Sequence, residues 1–204
     1  MTAFSVFEPY VAPEVPGCPL VLIDDAIRDG CRAFSSDSWL IREDLATFNT
    51  VVGTQSYTLT APATTEIFGV NTVVLGGALP ALSRSSDDPS KRYVPQDGKP
   101  IEFWFKDGKL WFNTEPDTVT AVLVEALARP LTTAATVDSR YEEYRDAITY
   151  WAKSRLKRMM GKPWSNPQGA QEDYQFYISL VGDQRIKDNS GRVARPLRAV
   201  ASFF

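Results

Sequence analysis

Histidine is absent from the 204-residue chain. With it go the commonest general base and the commonest zinc ligand, so a Ser-His-Asp or Cys-His mechanism is excluded. Cysteine is scarce: Cys18 and Cys31 are the only two. Set thirteen residues apart on or beside one helix, they lie too far from one another to bridge, and free, mostly buried thiols are expected. No apolar run approaches the roughly 20 residues that a membrane-spanning helix needs. The N-terminus has no basic region followed by an apolar block, as a secretory signal would, which predicts synthesis in the cytoplasm and no membrane partner. No catalytic residue, cofactor or metal site is expected. The adjacent acids Asp24 and Asp25 invite a metal or acid-base reading, but neighbouring helix residues point about 100° apart, which favours a solvated face.

What is present suffices for a core. Hydrophobic residues make up 44% and aromatics 12% of the chain, enough to bury an interior without disulfides or metals and to predict one domain carrying an insertion. Net charge is −3 but unevenly divided: residues 1–139 hold 10 basic and 18 acidic side chains, residues 140–204 hold 12 and 7. Either the halves face different neighbours, or a solvated acidic face and a basic helix end account for the difference.

The best-marked stretch, 138–191, reads as an antiparallel hairpin of two amphipathic helices, about 140–160 and 167–189. Ser139 and Glu142 have the spacing of a capping box. Tyr141, Tyr144, Ile148, Trp151, Ala152, Leu156 and Met159 recur at three and four residues and share one face. The opposite face carries Glu142, Glu143 and Asp146 near its start and Lys153, Arg155, Lys157 and Arg158 near its end, each sign complementing the helix dipole. Gly161 and Pro163 stop this helix. Asn166 then caps the next one with Pro167 in its first position. Ala170, Tyr174, Tyr177, Ile178, Val181 and the stem of Arg185 form its stripe.

Ahead of the hairpin, Pro9, Pro13, Pro16 and Pro19 predict an extended arm over 1–19, with Phe4, Phe7, Tyr10 and Val11 covered by the chain's own body or by a neighbouring subunit. Leu20, Ile23, Ile27, Cys31 and Phe34 mark a helix over about 20–36. Between 39 and 131 the period changes to two, predicting an inserted antiparallel β-rich region. Within it, 39–52 and 55–60 make a first pair turning near Gly53, 66–75 a third strand, and 118–127 a closing strand. Asp107-Gly108 is the strongest hairpin signal, between strands 101–105 and 110–113. Its aromatics Phe103, Trp104, Phe105, Trp111 and Phe112 fit a hairpin core better than a sugar-stacking platform, because alternation puts Trp104 on the face away from Phe103 and Phe105. The polar loop 83–100 carries no ligand-type clustering. The fold class expected is therefore α+β: a helical body with a β insertion and extended termini.

The tail 191–204 holds three arginines and no acid. Arg192, Arg195, Leu197, Arg198, Phe203 and Phe204 are candidates for docking onto another protein, with carboxylate pairs at the arginines and a groove for the phenylalanines; the alternative is plain disorder.

The order of these parts resembles the head-to-tail adaptor (connector) proteins of tailed bacteriophages. The residues that carry the resemblance are Val15, Pro16, Gly17, Cys18 and Pro19 leading into Leu22 to Asp29, then Trp39, Arg42, Glu43 and Asp44, and Val52 to Leu59. After the insertion it continues through Tyr144, Ala147, Ile148, Trp151, Ala152 and Leu156, then Trp164, Pro167, Ala170 and Tyr174. The resemblance implies a single adaptor domain over 20–190 and a homo-oligomeric ring, commonly a dodecamer, in the virion neck. It also implies that 191–204 docks on the portal protein, that a downstream tail or neck protein binds below, and that DNA passes through the lumen without sequence-specific contact. The loop 83–100 has no counterpart in that pattern.

Two other classes compete. A tail-associated carbohydrate- or receptor-binding module would present the β insertion and its aromatic hairpin. A glycosidase would need two carboxylates from among Asp24, Asp25, Glu142 and Glu143.

Overall fold

A computed structural model describes residues 1–77, 81–85 and 97–189. The tail 191–204, with all six docking candidates, and most of the loop 83–100 lie outside the described residues. The fold is α+β, as the periodicities predict. Helix α2 (Leu20–Ser38) buries Ile23, Ala26, Ile27, Gly30, Cys31 and Phe34 along one face. It ends at Trp39, which takes a left-handed conformation (φ 62°) while its N–H donates to the Ser35 carbonyl.

The first nineteen residues do not form an extended arm. Strand β1 (Thr2–Ala3) is followed by a 3-10 turn, Phe4–Val6, by the single-turn helix α1 (Glu8–Val11) and by a second 3-10 turn, Ala12–Glu14. Pro9 and Pro13 stand in the first turns of these short helices, where a missing N–H breaks nothing, so proline starts structure here instead of preventing it. Phe4, Phe7, Val11 and Val15 are buried in one cluster with α2 and the hairpin, so the chain's own body covers them.

The hairpin consists of α3 (Arg145–Lys157) and α4 (Pro167–Asn189). Its start differs from the capping box expected. Asp138 is the cap, its carboxylate accepting from the Arg140 N–H at 2.8 Å, and 139–144 wind as a 3-10 helix before α3 begins. Glu142 turns away and accepts from the Thr2 hydroxyl. The second cap is as expected: the Asn166 side-chain oxygen accepts from Gly169 N–H at 3.0 Å. Gly161 takes φ 71° in the turn between the helices.

Helix α3 is central, not superficial. Ile148, Ala152 and Leu156 are buried as their spacing requires, but so are Thr149, Lys153, Ser154 and Lys157 on the side expected to be solvated. The 8–15 segment and α4 cover that side. On α4, Ala170, Tyr177 and Val181 are buried, whereas Ile178 remains 47% exposed.

In the insertion, β5 (Thr65–Leu75) and β11 (Ala121–Pro130) form a long antiparallel ribbon with two register irregularities. Strands β2 (Arg42–Asp44) and β3 (Phe48–Asn49) both pair with the other edge of β11. The expected first pair is therefore not made: β4 (Ser56–Thr58) pairs with β9 (Lys109–Phe112) instead. Gly53, at φ 75°, does turn the chain, but from one sheet to the next. Strands β8 (Glu102–Lys106) and β9 form the predicted hairpin, with Asp107 and Gly108 at φ 52° and 74°, both positive as a type I′ turn needs. Short β6 (Ser83–Arg84) adds parallel to β8, β7 (Asp97–Gly98) pairs with β10 (Glu115–Pro116), and β12 (Thr136–Val137) pairs with β1.

Two apolar clusters result. One joins the N-terminal segment to α2, α3 and α4; the other, built on Val73, Phe103, Leu110, Phe112 and Val122, lies inside the insertion.

Candidate functional site

Arginines fasten the insertion to the helical body. On α2, Arg32 pairs with Glu66 at 2.8 Å and donates to the Pro130 carbonyl, while Arg28 donates to the Ala134 carbonyl at 2.8 Å. Arg129 reaches the same Glu66 carboxylate at 2.7 Å. Burial pushes the Glu66 pKa up, but its bonds to Arg129 and Arg32 outweigh that and leave it below the ordinary value. Where β2 begins, Arg42 pairs with Asp188 in the last turn of α4 at 2.6 Å. Arg140 donates to the Arg42 carbonyl at 2.7 Å and pairs with Glu43 and Asp138. The hydrogen bond from Arg140 holds the Asp138 carboxyl below its usual range. Arg42 and Glu43, two carriers of the adaptor resemblance, thus tie both ends of the helical hairpin to the insertion.

A second cluster lies beneath the N-terminal segment. Lys153 and Lys157, one turn apart on α3, both reach Glu14, at 2.9 and 2.5 Å, and Lys157 also pairs with Asp173 of α4 at 2.9 Å. Two ammonium groups and two carboxylates cancel, which makes burial of the lysines tolerable. The hydrogen bond from Lys157 is the largest cause of Glu14's lowered pKa. Burial alone would lower the Lys157 pKa, but its bonds to Glu14 and Asp173 raise it overall. Opposite charges at 14, 153, 157 and 173 are visible in the sequence; their convergence is not, because it requires the 8–15 segment to fold back over α3.

Between the end of α2 and α4 runs a groove of about 540 Å³, lined by Asp37, Trp39, Tyr174, Ile178, Val181 and Arg185 among others. Tyr177 closes it from below, its hydroxyl donating to Asp37 at 2.6 Å. Burial, and then that carboxylate, raise the Tyr177 pKa. A smaller hollow of about 420 Å³ lies at the far end of the insertion, beside Thr50, Lys99, Thr118 and Thr120. Val51, Val52 and Val119, next to it in sequence, are more than half exposed.

The carboxylates considered for hydrolysis do not converge. Asp25 pairs with Arg28 at 2.6 Å, and Glu142 accepts from Thr2. Asp24 lies beside Glu8, whose pKa is raised by burial and by Asp24's charge. Of the sugar-platform residues, Phe103, Trp104 and Phe112 are buried, and Phe105 and Trp111 are half-buried. Both cysteines are free; Cys31 is buried and Cys18 partly so. Among the described residues no group of three or more side chains could hold a metal, and no helix is long and apolar enough to cross a membrane.

Among known proteins, the model of one protein family, SU10 adaptor protein, matches residues 12–200. No curated protein matches the chain.

Proposed function

We infer the function from one premise: the chain belongs to the SU10 adaptor protein family, and is an adaptor among the structural proteins of a bacteriophage virion. Its copies assemble side by side into a closed homo-oligomeric ring, a dodecamer, in the neck of the virion. One face of the ring meets the portal protein and the other a downstream tail or neck protein, and DNA passes through the lumen. The work is done by shape, with no substrate turned over.

The observation that carries this reading is the extent of the family match, which takes in the helical body, the insertion and most of the tail. The architecture supports it. Ion pairs at Arg42, Arg140 and Glu66 hold body and insertion as one unit, as a subunit needs if its side surfaces are to meet a neighbour at a fixed rotation. The last turn of α4 is anchored through Asp188, so the tail 191–204 departs from a fixed root. Arg192, Arg195 and Arg198 pair there with portal carboxylates, and Leu197, Phe203 and Phe204 enter a portal groove. Tails presented together by one ring gain avidity on the order of 10²–10⁴ over a single tail. The acidic excess of 1–139 keeps a lumen from adhering to phosphates.

The test is deletion of 191–204 followed by capture on immobilised portal rings and native mass measurement. The expected product is folded and no longer captured. Undiminished capture removes the tail from the interface, and a full-length chain that stays monomeric with portal present removes the ring.

A further inference from the structure

We propose that the groove between the C-terminal end of α2 and α4 is a docking site for an acidic peptide segment of a partner protein, gripped by the guanidiniums of Arg84, Arg158 and Arg185. None of its residues belongs to the tail 191–204, and the proposal does not depend on the ring reading above.

The groove begins with Trp39. It is the left-handed residue that ends α2, and it is 41% exposed instead of joining the core. A bulky side chain at positive φ is uncommon, and such strain gathers at recognition sites. The guanidinium carbons of Arg84, from β6, and Arg185, from α4, lie 5.6 and 5.7 Å from the centre of the Trp39 ring. Arg158, just past α3, lies 4.9 Å from the centre of the Tyr174 ring on the same groove. Three elements distant in sequence thus bring cations to this groove, Arg185 in its lining and Arg84 and Arg158 over the rings of Trp39 and Tyr174 that line it.

None of these three arginines makes an ion pair with a carboxylate of the described residues. Elsewhere the fold pairs its arginines thoroughly, at 28, 32, 42, 129, 140 and 155. The groove's own acid, Asp37, already accepts the Tyr177 hydroxyl at 2.6 Å. A guanidinium lying over an aromatic face can still turn its N–H edge outward, the geometry that takes a carboxylate bidentately. The hollow itself is apolar where Ile178 and Val181 line it, and a volume of about 540 Å³ accommodates one large apolar side chain with its neighbours. The complementary ligand is therefore a short segment with an apolar or aromatic residue flanked by Asp or Glu.

Nucleic acid fits less well. The Trp39 ring carries guanidiniums where a base would stack. The cations gather about aromatic side chains at a pocket instead of tracking along a strand.

The experiment measures fluorescence anisotropy of a labelled acidic peptide with one central phenylalanine, titrated with the full-length protein. The same peptide with every acid as its amide, and an oligothymidine strand, serve as comparisons. We expect the acidic peptide to bind, the amide peptide not to, and added salt to weaken the complex. Arg84→Glu with Arg185→Glu should weaken binding by about tenfold or more, Arg84→Gln with Arg185→Gln by less, and Lys109→Glu in the distant hairpin not at all. All of these positions are exposed, and an unchanged melting curve verifies each variant's fold. Absence of binding, binding indifferent to the reversals, loss on neutralising Arg192, Arg195 and Arg198 instead, or preference for oligothymidine would each overturn the proposal.

Discussion

The carbonyl oxygen of Ile148 lies 2.9 Å from the point that a side-chain carbon on Gly30 would occupy, with Ile148 Cγ2 at 3.3 Å. Helices α2 and α3 therefore touch backbone to backbone at this crossing, and a hydrogen is all that fits between them. Gly30→Ala must part the two helices in the middle of the main core. The expected cost is about 1–3 kcal/mol, as for other overpacked interiors, read as a lower urea midpoint at unchanged slope. Gly182→Ala is the contrast: it sits mid-helix in α4 with nothing within 4 Å of the added carbon. There the better helix former should stabilise by up to about 1 kcal/mol. A neutral Gly30→Ala would mean that the helices do not meet as described.

Lys157 and Asp173 test the buried charges. Each side chain is only 9% exposed. Lys157→Met leaves Asp173 with no ion-pair partner among the described residues and should cost about 3–5 kcal/mol. Adding Asp173→Leu removes the stranded charge, so the double variant should recover most of that loss, with a coupling well above 1 kcal/mol in a denaturation cycle. Additive costs would show that the two charges do not compensate one another.

The pH dependence follows from Glu14, whose pKa is lowered chiefly by its hydrogen bond to Lys157. A carboxyl with a depressed folded pKa contributes stability that is full above its unfolded value, near 4.5, and lost as pH falls through the folded value. Glu66 and Asp138 shift in the same direction and add to that acid limb. Glu14→Gln should therefore melt below wild type at pH 7, and the two curves should converge as pH drops below about 4. Lys157, raised overall, acts at the other end: its contribution is full below its ordinary value of 10.5 and lost only as pH rises beyond it. Parallel melting curves for Glu14→Gln and wild type from pH 7 to 3 would separate Glu14 from acid unfolding.

What was legible in the sequence was whatever a local rule determines. The stripe Ile23, Ile27, Cys31, Phe34 located α2, Asn166 with Pro167 started α4, and Asp107-Gly108 placed the β8–β9 turn. Each depends on contacts within a turn or two. Non-local choices were not legible. Gln55–Thr60 carries no mark saying that its strand pairs with Lys109–Phe112 and not with its predecessor, because alternation fixes faces but not partners. The prolines of the first nineteen residues read as helix-breaking, yet Pro9 and Pro13 occupy helix first turns, where proline is at home. Lys153 and Lys157 read as a solvated face because their covers, Glu14 and Asp173, stand far off in sequence. The groove shares that difficulty: Trp39 and the arginines at 84, 158 and 185 come together only through tertiary structure.

The last turn of α4 supplies a prediction that bears on function without abolishing it. Arg42 and Asp188 meet at 2.6 Å with about a third of each side chain exposed, so the pair stabilises by only about 0.2–1 kcal/mol. That is too little to govern global unfolding, and Arg42→Gln should leave the melting temperature nearly unchanged. Locally it is enough to matter, because helix ends fray at free energies far below the global value. Amide hydrogens of 184–188 should exchange about 1.5- to 5-fold faster, the range that such a pair energy allows, while those of Ile148 to Leu156 in α3 keep their wild-type rates. If the tail 191–204 engages a portal ring from a fixed root, the same substitution should slow capture in a pull-down yet leave the captured complex as long-lived as wild type, since ordering the last turn is then a cost of docking and not a contact within it. Faster exchange spread equally over α3 and α4 would instead make Arg42 a part of the global fold and deny the tail an independent root.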